Sequence, residues 1–282
     1  MISAMSNPLS LPQMIDANGL RFGYHSVGEG PLVLMLHGFP DTAKAWDPIA
    51  TPIAVAGYRV VAPYLRGYAP TQMPSRDTTI EDLGGDVVGL IDSFGGDPTT
   101  VVGHDWGAAA AYAAAAMAPE KVSKLVTVAL PHPAGFKPKV TDFWGARHFV
   151  TFRRKSAPRK FIANDFRGLR QIYSRWSPEW DVAEAELADI KRCLANPESL
   201  NAIFGYYRAT ERKPSDLMRR KIGVPTVAFA GVTDGVVPAH TFDQAASRFT
   251  DGYEVIELPG GHFAHREDPE LFTAKLLDVL AR

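Results

Sequence analysis

Short apolar runs, most of them ending in glycine, proline or aspartate and alternating with helical patterns, leave this chain few folds to adopt. "YRVVAPY", "TTVVGHD", "KLVTVAL", "VPTVAFAG" and "YEVIELPG" are of this kind. A run that is apolar throughout, rather than at alternate positions, suits a strand buried on both faces. A parallel sheet covered by helices requires such strands. Two earlier runs, "LRFGYHS" and "PLVLMLHG", are joined by "VGEG", a link that predicts a hairpin. Helical patterns fall at about 43–56, 79–94, 107–117, 240–249 and 269–281. The class is therefore α/β, a sheet covered on both sides.

The rhythm stops between Pro133 and Arg220, where no strand pattern occurs and "DVAEAELADIKRCL" is helical. This interval predicts an α-helical insertion over the carboxyl ends of the strands, where ligands bind in open α/β sheets. The expected division is a core of 1–133 and 221–282 and a helical cap of 134–220. A length of 282 residues accommodates that plan. A net charge of −1 supplies no electrostatic footprint for nucleic acid or anionic lipid. No apolar stretch is long enough to span a bilayer. The start, "MISAMSNPLSLPQM", lacks the basic and apolar regions of a signal peptide, and the single Cys193 excludes an internal disulfide. The expected compartment is the cytoplasm.

Gly103-His104-Asp105-Trp106-Gly107 fits the pattern G-x-Nuc-x-G, with aspartate at the nucleophile position. It lies between a buried run and the alanine stretch 108–116. The glycines permit a sharp strand-to-helix turn that thrusts the central side chain above the sheet. Aspartate also caps helices well, so the motif alone leaves a structural role open. Leu36-His37-Gly38-Phe39-Pro40 closes an earlier run. In this architecture the backbone N–H groups of Phe39 and Trp106 would form an oxyanion hole. Asp234 follows "TVAFAG", and His262 follows the last run in "LPGGHFAHREDPE". The order nucleophile, acid, histidine makes Asp234 the partner that fixes the tautomer of His262. His265, three residues further on, is expected to pack locally. His262 and His265 lack a third ligand with metal-site spacing.

With these residues in place the chain resembles the α/β-hydrolases of the epoxide hydrolase and haloalkane dehalogenase group. "HGFPDTAKAW", "RGYAPT", "GHDWGA", "LPHP" and "GGHFAHREDPE" resemble the epoxide hydrolase branch in particular. The likeness covers about 14–133 and 221–282 and is weaker in the insertion. It implies a mostly parallel eight-stranded sheet with a helical cap. It also implies that Asp105 attacks an sp3 carbon and forms an alkyl ester, which water activated by His262 then hydrolyses. A carboxylate suits displacement at carbon and suits acyl transfer poorly, since the product would be an anhydride. No metal or organic cofactor is implied. The expected partners are a small apolar epoxide and water, with no nucleic acid and no membrane, and a homodimer admitted.

Opening an epoxide releases a basic alkoxide that needs a proton donor, and the family supplies two cap tyrosines. "NAIFGYYR" resembles the second tyrosine motif, with Tyr207 at the matching position and Tyr206 in place of a tryptophan. The first tyrosine position falls near "GLRQIYSRWSPEW", where Arg170 occupies it and Tyr173 lies one helical turn later. Either Tyr173 substitutes, or Tyr207 acts alone, or Arg170 donates or binds a substrate carboxylate. His37, Trp106, Arg170, Phe136 and Tyr206 are the candidate substrate contacts. A haloalkane or haloacid dehalogenase with the same nucleophile is the alternative within the enzyme class. A non-catalytic binding protein on the same scaffold is the alternative outside it. Aspartate at the elbow disfavours a conventional esterase.

Overall fold

The computed structural model describes residues 11–135, 147–211 and 213–282. Eight strands form one sheet: β1 (Gln13–Ala17), β2 (Leu20–Val27), β3 (Leu32–Leu36), β4 (Arg59–Pro63), β5 (Thr99–His104), β6 (Val122–Val128), β7 (Thr226–Gly231) and β8 (Tyr253–Leu258). Their order is β1-β2-β4-β3-β5-β6-β7-β8. β1 and β2 pair antiparallel, as do β2 and β4, and the remaining pairs are parallel. The strand order reverses at β3, which lies between β4 and β5. The crevice at such a switch point is where an open α/β sheet offers its ligand site.

The expected hairpin between β2 and the run after "VGEG" does not form. β2 pairs with β1 and β4, and β3 lies on the far side of β4. The hairpin belongs to β1 and β2. Asn18 and Gly19 make its two-residue turn, with φ of 44° and 73°. Asn-Gly suits a turn in which both central residues have positive φ. β1 escaped the sequence reading because it is an edge strand with mostly exposed side chains and carries no apolar run.

The helices packed around the sheet are α1 (Asp47–Val55), α2 (Ile80–Ser93), α3 (Trp106–Met117), the short α8 (Ala264–Glu267) and α9 (Pro269–Leu280). A capping box starts α2: Thr79 Oγ1 accepts the Asp82 N–H at 3.2 Å, and Asp82 Oδ2 accepts the Thr79 N–H at 2.9 Å. The stretch expected as a helix at 240–249 instead forms two 3-10 segments, Ala239–Thr241 and Asp243–Arg248. Its core-facing residues, Phe242 and Ala245, are three apart, a spacing that a three-residue turn aligns.

Residues 108–116 of α3, eight alanines and Tyr112, are buried on every side. A Cβ at Gly84 of α2 would lie 2.8 Å from the Ala113 Cβ, so the two helices meet at backbone distance. Gly107 is tighter still: a Cβ there would stand 2.2 Å from the Leu36 carbonyl oxygen. Because backbone cannot move aside, Gly107→Ala is expected to cost about 3 kcal/mol, the upper end for overpacking. Urea unfolding would test this, and an unchanged midpoint would refute the close packing.

Among the described residues no strand lies between β6 and β7. That interval holds α4 (His148–Phe152), α5 (Ala157–Trp176), α6 (Glu184–Leu194) and α7 (Pro197–Ala209). α5 is broken at Ala163–Phe166, where Asn164, Asp165 and Phe166 take positive φ. The helical segment rests on the sheet through Phe39, whose ring meets Phe152, Phe161 and Phe204 at 5.4, 5.5 and 5.8 Å. Phe136 lies outside the described residues. Among those described, no helix is long and apolar enough to cross a membrane.

Candidate active site

Asp105 sits alone between the end of β5 and the start of α3, with φ 50° and ψ −114°. Few residues with a Cβ adopt such angles, and the surroundings must enforce them. They do: the Asp105 N–H donates to the Val128 carbonyl at 3.2 Å, and its own carbonyl accepts the Ala109 N–H at 3.0 Å. A Cβ at Gly38 would lie 2.5 Å from the Asp105 Cβ, so the loop after β3 can pass only as glycine. That approach brings the Phe39 N–H to 2.8 Å from Asp105 Oδ1.

His262, in the loop after β8, stands between two carboxylates. Its Nδ1 lies 2.9 Å from Asp234 Oδ2, and its Nε2 lies 3.6 Å from Asp105 Oδ2. The other oxygen of Asp234 accepts the N–H groups of Val236 and Val237 at 2.7 and 3.0 Å, which fixes the carboxylate in the turn after β7. Burial alone would push the imidazole pKa down. Asp234 and Asp105 outweigh it and hold His262 up at about 10. Burial also works against the charge on Asp105. His262, His104 and the Phe39 N–H prevail, and its pKa falls below the ordinary carboxylate value.

The base loop is tied down from two directions, neither of which a short motif announces. The Trp176 carbonyl, at the end of α5, accepts the His262 N–H at 3.0 Å and the Gly235 N–H at 3.1 Å. The next residue, Ser177, accepts the Phe263 N–H at 3.1 Å and donates to Glu267 at 2.7 Å. From beneath, His104 Nε2 lies 3.0 Å from the His262 carbonyl oxygen and donates to it. Burial keeps His104 neutral, with its pKa pushed down to about 3.

Several candidates lie elsewhere than expected. His37 is buried with both nitrogens committed to backbone: Nδ1 donates to the Gly38 carbonyl and Nε2 accepts the Leu65 N–H, each at 3.0 Å. It braces the loop and is not a substrate contact. Arg170 is half-buried at the surface, with its guanidinium on Asp165 at the break in α5 and on Glu184 of α6. It neither donates into the cavity nor binds a substrate carboxylate there. Tyr173 is buried, but its hydroxyl bonds Asp41 and receives Arg266 Nη1 at 2.8 Å. It therefore does not replace the missing tyrosine. His265 lies beneath the site, with its ring 4.4 Å from that of His104 and 4.8 Å from that of Trp46.

Tyr207 is fully buried, and burial with the nearby Asp105 charge raises its hydroxyl well above the ordinary value. Its ring meets Trp106 edge to face at 5.2 Å, and Tyr206 meets the same indole at 5.3 Å. The Tyr206 hydroxyl donates to the Arg66 carbonyl, so its ring alone faces the site. A cavity of about 560 Å³ reaches Asp105 and is lined by Trp106, Phe149, Tyr206, Met218 and Val237. Its walls are predominantly apolar, as in most small-molecule sites.

Asp41, His104 and His265 bring three ligand-type atoms within 4.8 Å of one another. Arg266 Nη1 already holds Asp41 at 2.6 Å, so a cation would meet a carboxylate whose charge is spent and a buried guanidinium beside it. The cluster serves better as the polar floor beneath the base loop than as a metal centre.

Residues 31–269 match the family described as alpha/beta hydrolase fold. The chain is 32% identical to Epoxide hydrolase 4 of Mus musculus, over 91% of this chain and 75% of that protein. It is 27% identical to Epoxide hydrolase A of Mycobacterium tuberculosis, over 95% and 96% of the two chains. The solved Bacillus megaterium epoxide hydrolase in complex with an inhibitor superposes with a TM-score of 0.85. At 24% identity, over 96% of this chain and 100% of that one, it attests the fold. Motif order, sheet topology and these likenesses agree: the chain belongs to the α/β hydrolase fold family, within its epoxide hydrolase-like members.

Proposed function

We propose that this hydrolase opens an apolar epoxide to a vicinal diol through an ester on Asp105. The observation that carries the reading is a carboxylate at the elbow, with Oδ1 on the Phe39 N–H and Oδ2 facing His262. Oδ2 attacks a ring carbon and the carbon–oxygen bond breaks. The resulting ester carbonyl keeps its oxygen on the Phe39 N–H, and the Trp106 N–H would be the second donor as negative charge develops there. Alkylation also removes the charge of Asp105. His262 then loses one of the two carboxylates that hold its proton, releases that proton to solvent and can act as a base. Water delivered by His262 attacks the ester carbon, and Asp234 stabilises the imidazolium that forms.

In this reading Tyr207, buried with its ring against Trp106, gives its hydroxyl proton to the departing oxygen. The helical segment between β6 and β7 acts as the cap that brings it there. With Arg170 paired on the surface, the case for a haloacid substrate loses its carboxylate clamp.

The test is intact mass of His262→Gln after exposure to a panel of epoxides and alkyl halides. Without its base the ester should accumulate, raising the mass by one whole epoxide. A gain equal to an alkyl group without its halogen would replace this reading with a dehalogenase. No gain from any epoxide would overturn it.

A further inference from the structure

The two flanks of Asp105 differ. On one, the cavity of about 560 Å³ opens over the start of α3, where Trp106 and Ala109 form its wall with Ala209, Met218 and Val237. On the other, Phe39 passes so close that its N–H holds Asp105 Oδ1 at 2.8 Å, and its ring belongs to a packed aromatic block. Phe39 meets Phe152 of α4 at 5.4 Å, Phe204 of α7 at 5.8 Å and Trp176 of α5 at 6.3 Å. Phe152 and Phe204 stack with 4.5 Å between centroids and 10° between planes. All four rings are buried, and none of them lines the cavity. Rings at these separations touch, and a block packed to interior density has no room for added carbons. Tyr207 marks the boundary between the flanks, with its ring 5.2 Å from Trp106 and 5.1 Å from Phe152.

An epoxide held between Asp105 and Tyr207 is centred on that boundary. Each ring carbon directs its substituents away from the other carbon. Once a chain on one carbon occupies the cavity, anything on the other carbon points the opposite way, into the block. An epoxide with one unsubstituted carbon presents only hydrogens there. We propose that the substrates are terminal epoxides carrying one apolar chain, and that Phe152 and Phe204 set this limit by filling the flank opposite the cavity. This rests on the epoxide reading above and names its substrate class. The chain lies along the apolar wall, where burial of its carbons supplies affinity. The product is a 1,2-diol with one primary hydroxyl.

The experiment compares kcat/KM for 1,2-epoxyoctane and trans-4,5-epoxyoctane, two isomers of equal mass. The parent is expected to favour the terminal isomer by about a hundredfold, the discrimination a tight apolar wall gives against extra carbons. A terminal carbon is also the easier target in solution, so the deciding quantity is how this ratio responds to the block. Phe152→Ala removes one of its rings and should cut the ratio by about tenfold or more, through a higher value for the internal isomer. Phe152→Leu, in case the alanine variant fails to fold, should move the ratio the same way by less. Ala209→Phe, on the cavity side, should instead penalise 1,2-epoxyoctane more than 1,2-epoxypropane. Turnover of the internal isomer as fast as the terminal one, or a ratio unmoved in the folded Phe152 variants, would overturn the proposal. The epoxide reading would then stand, since diol is still formed. An ester on Asp105 from other epoxides, with no turnover of 1,2-epoxyoctane, would have the same meaning. Absence of an ester from every epoxide would overturn both.

Discussion

Asp105→Ala is expected to abolish epoxide turnover, with kcat/KM falling at least about ten-thousand-fold, because the mechanism has no second covalent route. Glu81 and Glu211 also line the cavity, but neither sits at an elbow with N–H donors aimed at it. The fold should survive. Asp105 carries a Cβ at φ 50°, ψ −114°, and alanine inherits that strain whereas glycine does not. Asp105→Gly should therefore be more stable than Asp105→Ala by about 1–2 kcal/mol, with both inactive. Thermal melts beside steady-state kinetics read both effects. Activity above one per cent of the parent in either variant would remove Asp105 as nucleophile.

Asp234→Asn is expected to lower turnover by about ten-thousand-fold through a change of tautomer, the size of effect the same exchange produces in a serine-protease triad. Asp234 Oδ1 holds the Val236 and Val237 N–H groups, and an asparagine would keep its one carbonyl oxygen there. Its NH2 would then face His262 Nδ1, which must become an acceptor. The ring proton moves to Nε2, the nitrogen that should take a proton from water. Ester formation does not need that nitrogen as a base, so the loss should fall on ester hydrolysis. Pre-steady-state mass measurements should show the ester filling most of the enzyme during turnover. Equal slowing of both steps would mean that Asp234 only supports the loop.

The elbow, the acid and the base were legible in the sequence because each lies within a few residues of a strand end and carries its own local signature. The cap side was not legible, for two physical reasons. Counting back from α6 to α5 crosses the non-helical residues 177–183, so the count does not preserve position around the axis of α5. Burial of Leu169, Ile172, Tyr173 and Trp176 does follow helical spacing and puts Tyr173 on the inner face. Where its hydroxyl goes depends on Asp41 and Arg266, 132 and 93 residues away. At the other end of the chain Asn18-Gly19 marks the turn of β1, but an exposed edge strand has no apolar run to accompany it.

The bonds from Trp176 and Ser177 to the loops carrying His262 and Asp234 also decide how molecules travel. Swinging the end of α5 outward would cut the Trp176 bonds to both loops together and undo the base with its partner. Traffic must therefore use another doorway. The cavity meets solvent at Glu81, Glu211 and Lys213, exposed residues in the first turn of α2 and after the end of α7. On the proposed reaction an epoxide would enter and a diol leave past that rim, with the Trp176 bonds to both loops unbroken. Substitutions there should alter which molecules pass and how fast, leaving the chemistry at Asp105 as it was.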